Sequence, residues 1–398
     1  MEFDVVIVGA GPAGLSFARA LAPSGLSIAL VERQPDAALA NPAFDGREIA
    51  LTHRSEAILR ALGAWDRIPG EDISPLREAR VINGAAHHRP LTFTPDAGPR
   101  RGPLGHLVPN HRIRRAVFEA AMNSENIRLI AGTAVAGVRT GREGARVQLA
   151  HGGGEIACRL VVAADNRFSE TRRRIGIGAQ RRDFGTSMLV CRMAHEKPHH
   201  HIATEWFDHG QTLALLPLNG EVSSAVITLP GHEIARLMRL EEAAFNAEVT
   251  RRYGGRLGAM RLVSTRHAYP LVGVYAHRFV AERFALIGDA AVGMHPVTAH
   301  GFNLGLSGAE TLAREIAAAH ARGRDIAGPA LLARYQSAHR RETAPLYAAT
   351  NLVAGLFTDD SLPARIAREA VLGLGRRLPF ARQLIAARLM DAGAPGGA

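Results

Sequence analysis

Residues 3–14 read FDVVIVGAGPAG, and this stretch decides the fold. Phe3 to Val8 is an unbroken apolar run rich in valine, the pattern of a strand buried on both faces. Gly9, Gly11 and Gly14 follow at the spacing of a turn that opens a helix, expected over Pro12–Leu21. The first glycine permits the tight turn, the second lets backbone approach a pyrophosphate, and the third lets the helix pack on the strand. Ala13 lies in the same loop and is counted with it. The helix start would present free N–H groups and a positive dipole end to phosphate. A second strand, SIALVE, ends at Glu32, with Arg33 beyond it. An acid there, about 20 residues past the glycines, binds ribose hydroxyls and disfavours a 2′-phosphate. Together these features predict a Rossmann-type βαβ unit that binds a dinucleotide. The glycines alone leave NAD and FAD open.

Two later segments bear on that choice. Val161 to Asn166 reads as a strand ending in the carboxylate of Asp165, with Asn166 expected in a left-handed turn. Phe284 to Gly288 reads as another strand, followed by Asp289, His295-Pro296 and AHGFNLG over 299–305. That loop would lead into a helix near Asn303, whose start can face an electron-rich ring. Asp289 is a candidate acceptor for a ribityl hydroxyl. The glycines at 9–14 and those from 288 on lie about 280 residues apart. If both touch one ligand, the domain that binds it is discontinuous. The fold class expected is therefore α/β, with an FAD-binding domain from residues 1–75, 100–180 and 270–330. An antiparallel-sheet substrate domain from 76–99 and 181–269 is inserted in it, where TLALLPL and SSAVITL alternate. A helical C-terminal region covers 331–398.

At 398 residues the chain can hold two domains. Its two cysteines, Cys158 and Cys191, are too far apart for a CxxC metal or redox site. The net charge of +11 is carried mostly by scattered arginines and favours anionic partners. Nucleic acid is not expected, since no helix-turn-helix or aromatic single-strand platform stands out. Glu2 and Asp4 stand where a signal peptide would be cationic, and no apolar run reaches membrane-spanning length. A cytoplasmic protein is expected. His199-His200-His201 cannot all aim at one metal, so they read as a solvated loop. Trp206 and Phe207 read as core.

GAGPAG at 9–14, AD-x-x-x-S-x-x-R from Ala164 to Arg172, and GDAA at 288–291 resemble the single-component FAD aromatic hydroxylases. So does the tail of the last motif, with Pro296, Gly301, Asn303 and Leu304. Asp45-Gly46-Arg47, Ala50-Leu51, Ser55, LGAW at 62–65, LALLPL at 213–218 and Tyr269-Pro270-Leu271 are similar to the ubiquinone-biosynthesis hydroxylases among them. MHPVTAHGFNLGL from Met294 resembles their demethoxyubiquinol hydroxylase type. The resemblance covers nearly the whole chain.

It implies FAD as cofactor, NAD(P)H or another electron donor, and O2. The reaction it implies is hydroxylation of a polyprenylated phenol or quinol through a C4a-hydroperoxyflavin. Arg47 would contact the FAD phosphates or ribityl chain, and read alone it is a solvated loop arginine. Asn110 would lie near the flavin just before a helix, with Arg112 as its neighbouring alternative. His300 would take a catalytic place beside the ring. Its plainer reading is a loop histidine facing solvent. The basic amphipathic stretch from Leu362 to Met390 suits reversible contact with the inner membrane surface, or packing on its own domain. Other quinone-biosynthesis proteins are implied as partners.

The chain departs from the family in three places. Asp165-Asn166 replaces Asp-Gly in a segment tied to nicotinamide use, which opens the identity of the donor. Val292 stands where histidine is common, and Ala299-His300-Gly301 replaces Gly-Gln-Gly. Two other readings stay open. One is a different FAD oxidoreductase, such as a soluble aromatic hydroxylase, an epoxidase or an isoprenoid reductase. The other is a non-catalytic flavin- or quinone-binding accessory protein.

Overall fold

A computed structural model describes residues 1–84, 90–95, 102–150, 152–208, 210–295 and 300–358. The first part of the chain gives β1 (Glu2–Val8), α1 (Pro12–Leu21), β2 (Ile28–Val31), β3 (Glu48–Leu51) and α2 (His53–Ala61). Then come β4 (Glu78–Asn83), β5 (Gly105–Pro109), α3 (Asn110–Met122), β6 (Ile127–Ile130), β7 (Glu155–Ala163) and α4 (Glu170–Arg174). The middle gives β8 (Ala179–His195), β9 (Ile202–Asp208), β10 (Gln211–Pro217), β11 (Val222–Pro230) and α5 (Gly231–Arg239). The last part gives β12 (His267–Ala276), β13 (Phe284–Leu286), α6 (Gly301–His320) and α7 (Pro329–Thr358).

The expected Rossmann-type layer is present. Five of its eight strands run in the order β13, β7, β1, β2, β6, and every neighbouring pair among these five is parallel. Val5, Val6 and Ile7 are fully buried, because a parallel sheet is covered on both faces. Strands from distant parts of the chain therefore end side by side. Gly9 N–H bonds to Val31 O, Ala164 N–H to Val8 O and Ile287 N–H to Ala163 O. Ligands of open α/β sheets bind beyond such carboxyl ends.

The inserted antiparallel sheet is also present, in the order β12, β8, β11, β10, β9, β4. All of its pairs are antiparallel except β9 with β4. Val292–Gly293 joins this sheet by pairing with β12, although it follows the Gly288 turn. One face buries Leu189, Cys191, Met193, Leu213 and Ile227 under α5 and the helix Glu242–Arg252. Trp206 belongs to that core and Phe207 to a smaller one, as expected. The opposite face meets the loop before β3. A methyl group at Gly46 would lie 2.8 Å from Val190 and 2.9 Å from His267.

The helical C-terminal region is seen over α7, and residues 359–398 lie outside the described residues. Some local expectations change. Asn110 is the first residue of α3, not a residue before it. Asn166 has no positive φ. Its Oδ1 instead accepts from Phe168 N at 2.8 Å, an Asx turn that needs no left-handed backbone.

Candidate cofactor and active site

The three motifs converge. Gly9 has φ +107°, and a methyl group on it would lie 2.6 Å from Ala164 O and 2.9 Å from the Asp165 Cα. Gly288 has φ +57°, and a methyl group there would lie 2.8 Å from the Ala13 Cβ. One on Gly305 would lie 3.3 Å from the Gly288 Cα. The glycines at both ends of the chain thus let one strand-end crevice close up.

That crevice fits a dinucleotide. Gly11 caps α1 without any side-chain hydrogen bond, and no acid occupies the first turn. A methyl group at Gly11 would meet nothing within 4 Å, so the backbone N–H end of the helix faces open space. Glu32, one residue past β2, accepts from Ala10 N through Oε2 and from Gln34 N through Oε1, each at 2.9 Å. This fixes the carboxylate beside the glycine turn. Arg33 is exposed.

Asp165 does more for the protein than the sequence indicated. Its Oδ2 accepts from Thr171 N at 3.3 Å, and Ser169 Oγ accepts from Arg172 N at 2.9 Å. Both side chains cap α4. Arg172 is buried and donates to Ala290 O at 2.8 Å, which ties α4 to the Asp289 loop. Sequence reading missed Arg167. Its guanidinium holds Asp289 Oδ2 and also donates to Val272 O at 3.0 Å.

A second group surrounds Asp45. Arg47 Nη2 lies 2.6 Å from Asp45 Oδ2, and Asn110 Nδ2 donates to the same oxygen at 2.7 Å. Tyr269 OH donates to Asp45 O at 2.7 Å, and Arg47 lies 5.5 Å over the Tyr269 ring. Burial alone would raise the Asp45 carboxyl, but Arg47 and Asn110 outweigh it and hold it low. The Arg47 side chain is itself exposed, at 42%, and these contacts fix it beside Asp45. Arg112 pairs instead with Asp72, at 2.7 Å.

At the start of α6, His300 is the residue before Gly301 and is half-buried. Its carbonyl accepts from Leu304 N at 2.9 Å, and Leu304 is buried. Asn303 joins α6 to the end of β3. It accepts from Thr52 N at 3.2 Å and donates to Ala50 O at 2.9 Å. Pro296 lies outside the described residues. His295 is pushed down to about 4 by burial, helped by Arg182 and Arg167. Among the described residues no cluster could hold a metal. His199 Nε2 is bonded to the carbonyl of Leu218. Both cysteines are buried, and burial pushes their thiols up to about 12.

A family model described as an FAD binding domain matches residues 2–348. The ubiquinone hydroxylase UbiM of Neisseria meningitidis is 47% identical over 98% of this chain and 85% of its own length. The ubiquinone hydroxylase UbiL of Rhodospirillum rubrum is 34% identical over 94% of this chain and 86% of its own. Among solved structures, p-nitrophenol 4-monooxygenase PnpA of Pseudomonas putida superposes with a TM-score of 0.77 at 17% identity, covering 99% of this chain and all of its own. The anhydrotetracycline hydroxylase OxyS of Streptomyces rimosus gives 0.74 at 24% identity, covering 99% of this chain and 77% of its own. These two share the fold. With a dinucleotide crevice at the strand ends and relatives of this similarity along its whole length, the chain belongs to the FAD-binding-domain family, within its branch of ubiquinone hydroxylases.

Proposed function

We propose that the protein is an FAD-dependent monooxygenase that hydroxylates the ring of a polyprenylated phenol or quinol in ubiquinone biosynthesis. NAD(P)H or another donor supplies the electrons and O2 the oxygen atom. The observation that carries this reading is the meeting of Gly9, Asp165, Gly288 and Gly305 in one crevice.

Bound FAD supplies the two-electron chemistry that activates oxygen. The chain's own residues bind, orient and shield. The first turn of α1 holds the pyrophosphate through N–H groups and its dipole end. Glu32 takes the ribose hydroxyls. Asp289 Oδ1 accepts from a ribityl hydroxyl while Oδ2 stays on Arg167. Arg47, fixed by Asp45, adds positive charge beside the phosphates, and Asn110 keeps Asp45 in place. Gly301, Asn303 and Leu304, with His300, would hold the flavin at the α6 start. The inner face of the antiparallel sheet would bear the ring to be hydroxylated.

A polyprenyl tail needs an apolar path. A groove of about 360 Å³ runs between α5 and β12, lined by Ile234, Ala235, Met238, Ala268, Tyr269 and Pro270. Tyr269 also reaches Asp45, so the groove ends at the flavin-side loop. The test is direct. Purified protein should be yellow or become so with FAD. Reduced anaerobically and mixed with O2, it should convert a geranylated phenol to the catechol. A protein that ignores FAD, or returns the phenol unchanged, defeats the reading.

A further inference from the structure

The inner face of the antiparallel sheet carries a carboxylate that nothing above uses. Register places Val81, Glu205, Ala214, Val226, Val190 and His267 in one row across six strands. Residues paired directly across a sheet share a face, since side chains alternate along each strand. Gly46, from the loop before β3, lies on Val190 and His267 at one end of the row. Glu205 stands near the other, roughly 19 Å away at four inter-strand spacings. Between them the floor is Val190, Val226 and Ala214, three small apolar side chains. An aromatic ring can lie flat on such a floor.

Among the described residues Glu205 makes no hydrogen bond and no ion pair. Of the other polar groups on this face, Ser224 Oγ is also buried without a hydrogen-bond partner, while three are engaged. Arg192 pairs with Glu48, His267 with Thr265 Oγ1, and Tyr269 with Asp45 O. Along β9 the same-face neighbours are Ala203 and Phe207, and Phe207 packs with Leu91, Phe93 and Leu104. Val353 of α7 lies against that cluster. Tyr253, from beneath the sheet, is the titratable group that feels the charge of Glu205, and its hydroxyl is held by Ala214 O and Val226 O. Glu205 is nevertheless only half-buried, so part of it is accessible from outside the sheet. An unpaired carboxylate in such a place costs stability, and a protein keeps one for use.

We propose that Glu205 is the catalytic base of the hydroxylation, accepting the proton of the substrate's ring hydroxyl. The inference rests on the proposed function. The phenolic O–H bond breaks, its proton passes to a Glu205 oxygen, and the electron pair stays on the phenolic oxygen. That pair enriches the ring carbons ortho and para to it. One of them would bond to the electrophilic oxygen that the loaded cofactor supplies, as the O–O bond breaks and its other oxygen leaves with the bond's electron pair. The hydrogen on that carbon then leaves as a proton to solvent, and the carboxyl returns its proton to the ring oxygen as aromaticity is restored. Burial suits the group to this task by pushing its carboxyl up to about 8, closer to a phenol than an ordinary carboxylate stands.

The test uses the FAD-loaded full chain and 2-geranylphenol. After anaerobic reduction with dithionite, one turnover is started with O2 and catechol is counted per flavin across pH. Wild type should show a limb rising near pH 8. Glu205→Gln should keep its flavin, lose product at least tenfold, release the missing equivalents as H2O2, and lose that limb. Glu205→Asp should recover part of the yield. Equal yields and equal pH profiles in wild type and Glu205→Gln would overturn the proposal. A second readout does not depend on turnover. Ultraviolet difference spectra of 2-geranylphenol bound to the oxidised protein should show the phenol ionising at higher pH in wild type than in Glu205→Gln, because the Glu205 carboxylate at its hydroxyl disfavours a second negative charge there. Should wild type bind the phenol and show this difference without hydroxylating it, the proposed function fails while Glu205 stands as the base. Identical spectra in the two proteins overturn the base.

Discussion

Arg167 grips Asp289 through one carboxylate oxygen, Oδ2, at 3.2 Å from Nε and 2.9 Å from Nη2. The pair crosses from the segment after β7 to the loop after β13. It engages Oδ2 only, on a carboxylate that is 40% exposed. Asp289→Ala should therefore weaken FAD retention strongly. A hydrogen bond to a charged acceptor contributes about 1.5–3 kcal/mol, or roughly ten- to hundredfold in Kd. Arg167→Gln, which leaves the acceptor but frees its orientation, should weaken it less. Flavin fluorescence titration of the apoprotein reads both, and unchanged affinity in Asp289→Ala would remove the residue from the site.

The groove between α5 and β12 should sort substrates by tail length. Ala235→Trp or Met238→Trp fills it with an indole. Turnover of a geranylated phenol should fall about tenfold through KM, while an unprenylated phenol is used as before. Steady-state kinetics with both phenols would show this, and equal losses on both would mean that the tail runs elsewhere.

His300→Gln should leave FAD content intact and lower turnover. The residue is the last before α6, where the proposed function sets it beside the flavin. Unaltered flavin absorbance and unaltered single-turnover yield together would make the histidine a bystander.

Acid should weaken the fold. His339 is buried beside Gly308, Phe279 and Tyr335, and burial, with Arg54, pushes it down to about 4. A free histidine in the unfolded chain takes a proton near its ordinary value of 6.5. Between those values the unfolded chain binds more protons, so stability is present above about 6.5 and is lost as pH falls towards 4. His295 acts in the same direction. Thermal melts from pH 7 to 4.5 should show a falling Tm, and His339→Gln should flatten the slope even if it lowers Tm throughout.

The basic stretch from Leu362 to Met390 should bring the protein to anionic vesicles. Among the described residues no helix is long and apolar enough to cross a membrane. Each basic residue near such a surface contributes on the order of 1 kcal/mol. Co-sedimentation at low salt and release at high salt are expected, with loss of binding when residues after Leu362 are removed from a chain that still holds FAD. Protein that stays in the supernatant at low salt would confine the arginines to a solvated face.

Much of this was legible beforehand, for physical reasons that differ by region. The βαβ unit could be read because Val5 to Val8 and Gly9 to Gly14 obey local rules of strand burial and turn geometry. The meeting of Gly288 with Ala13 could be anticipated from two glycine clusters and one ligand. The pairing of Arg167 with Asp289 could not, since it joins side chains 122 residues apart and no local pattern marks it. Asp165 hid a capping role behind a motif position. Glu205 was invisible for another reason. A glutamate in an alternating strand reads as a solvent-facing residue, and only the register of β9 against β10 turns it inward.

The crevice at the strand ends has a consequence for the order of synthesis. Gly9 leaves the ribosome early, yet the wall opposite it is built from Gly288 and Gly305. At a translation rate of about 5–20 residues per second, that wall follows some 15–60 s later. The nascent βαβ unit therefore waits with its helix end bare while the whole second sheet is made. Flavin loading belongs to the finished chain, and a ribosome-stalled chain ending before β13 should emerge colourless.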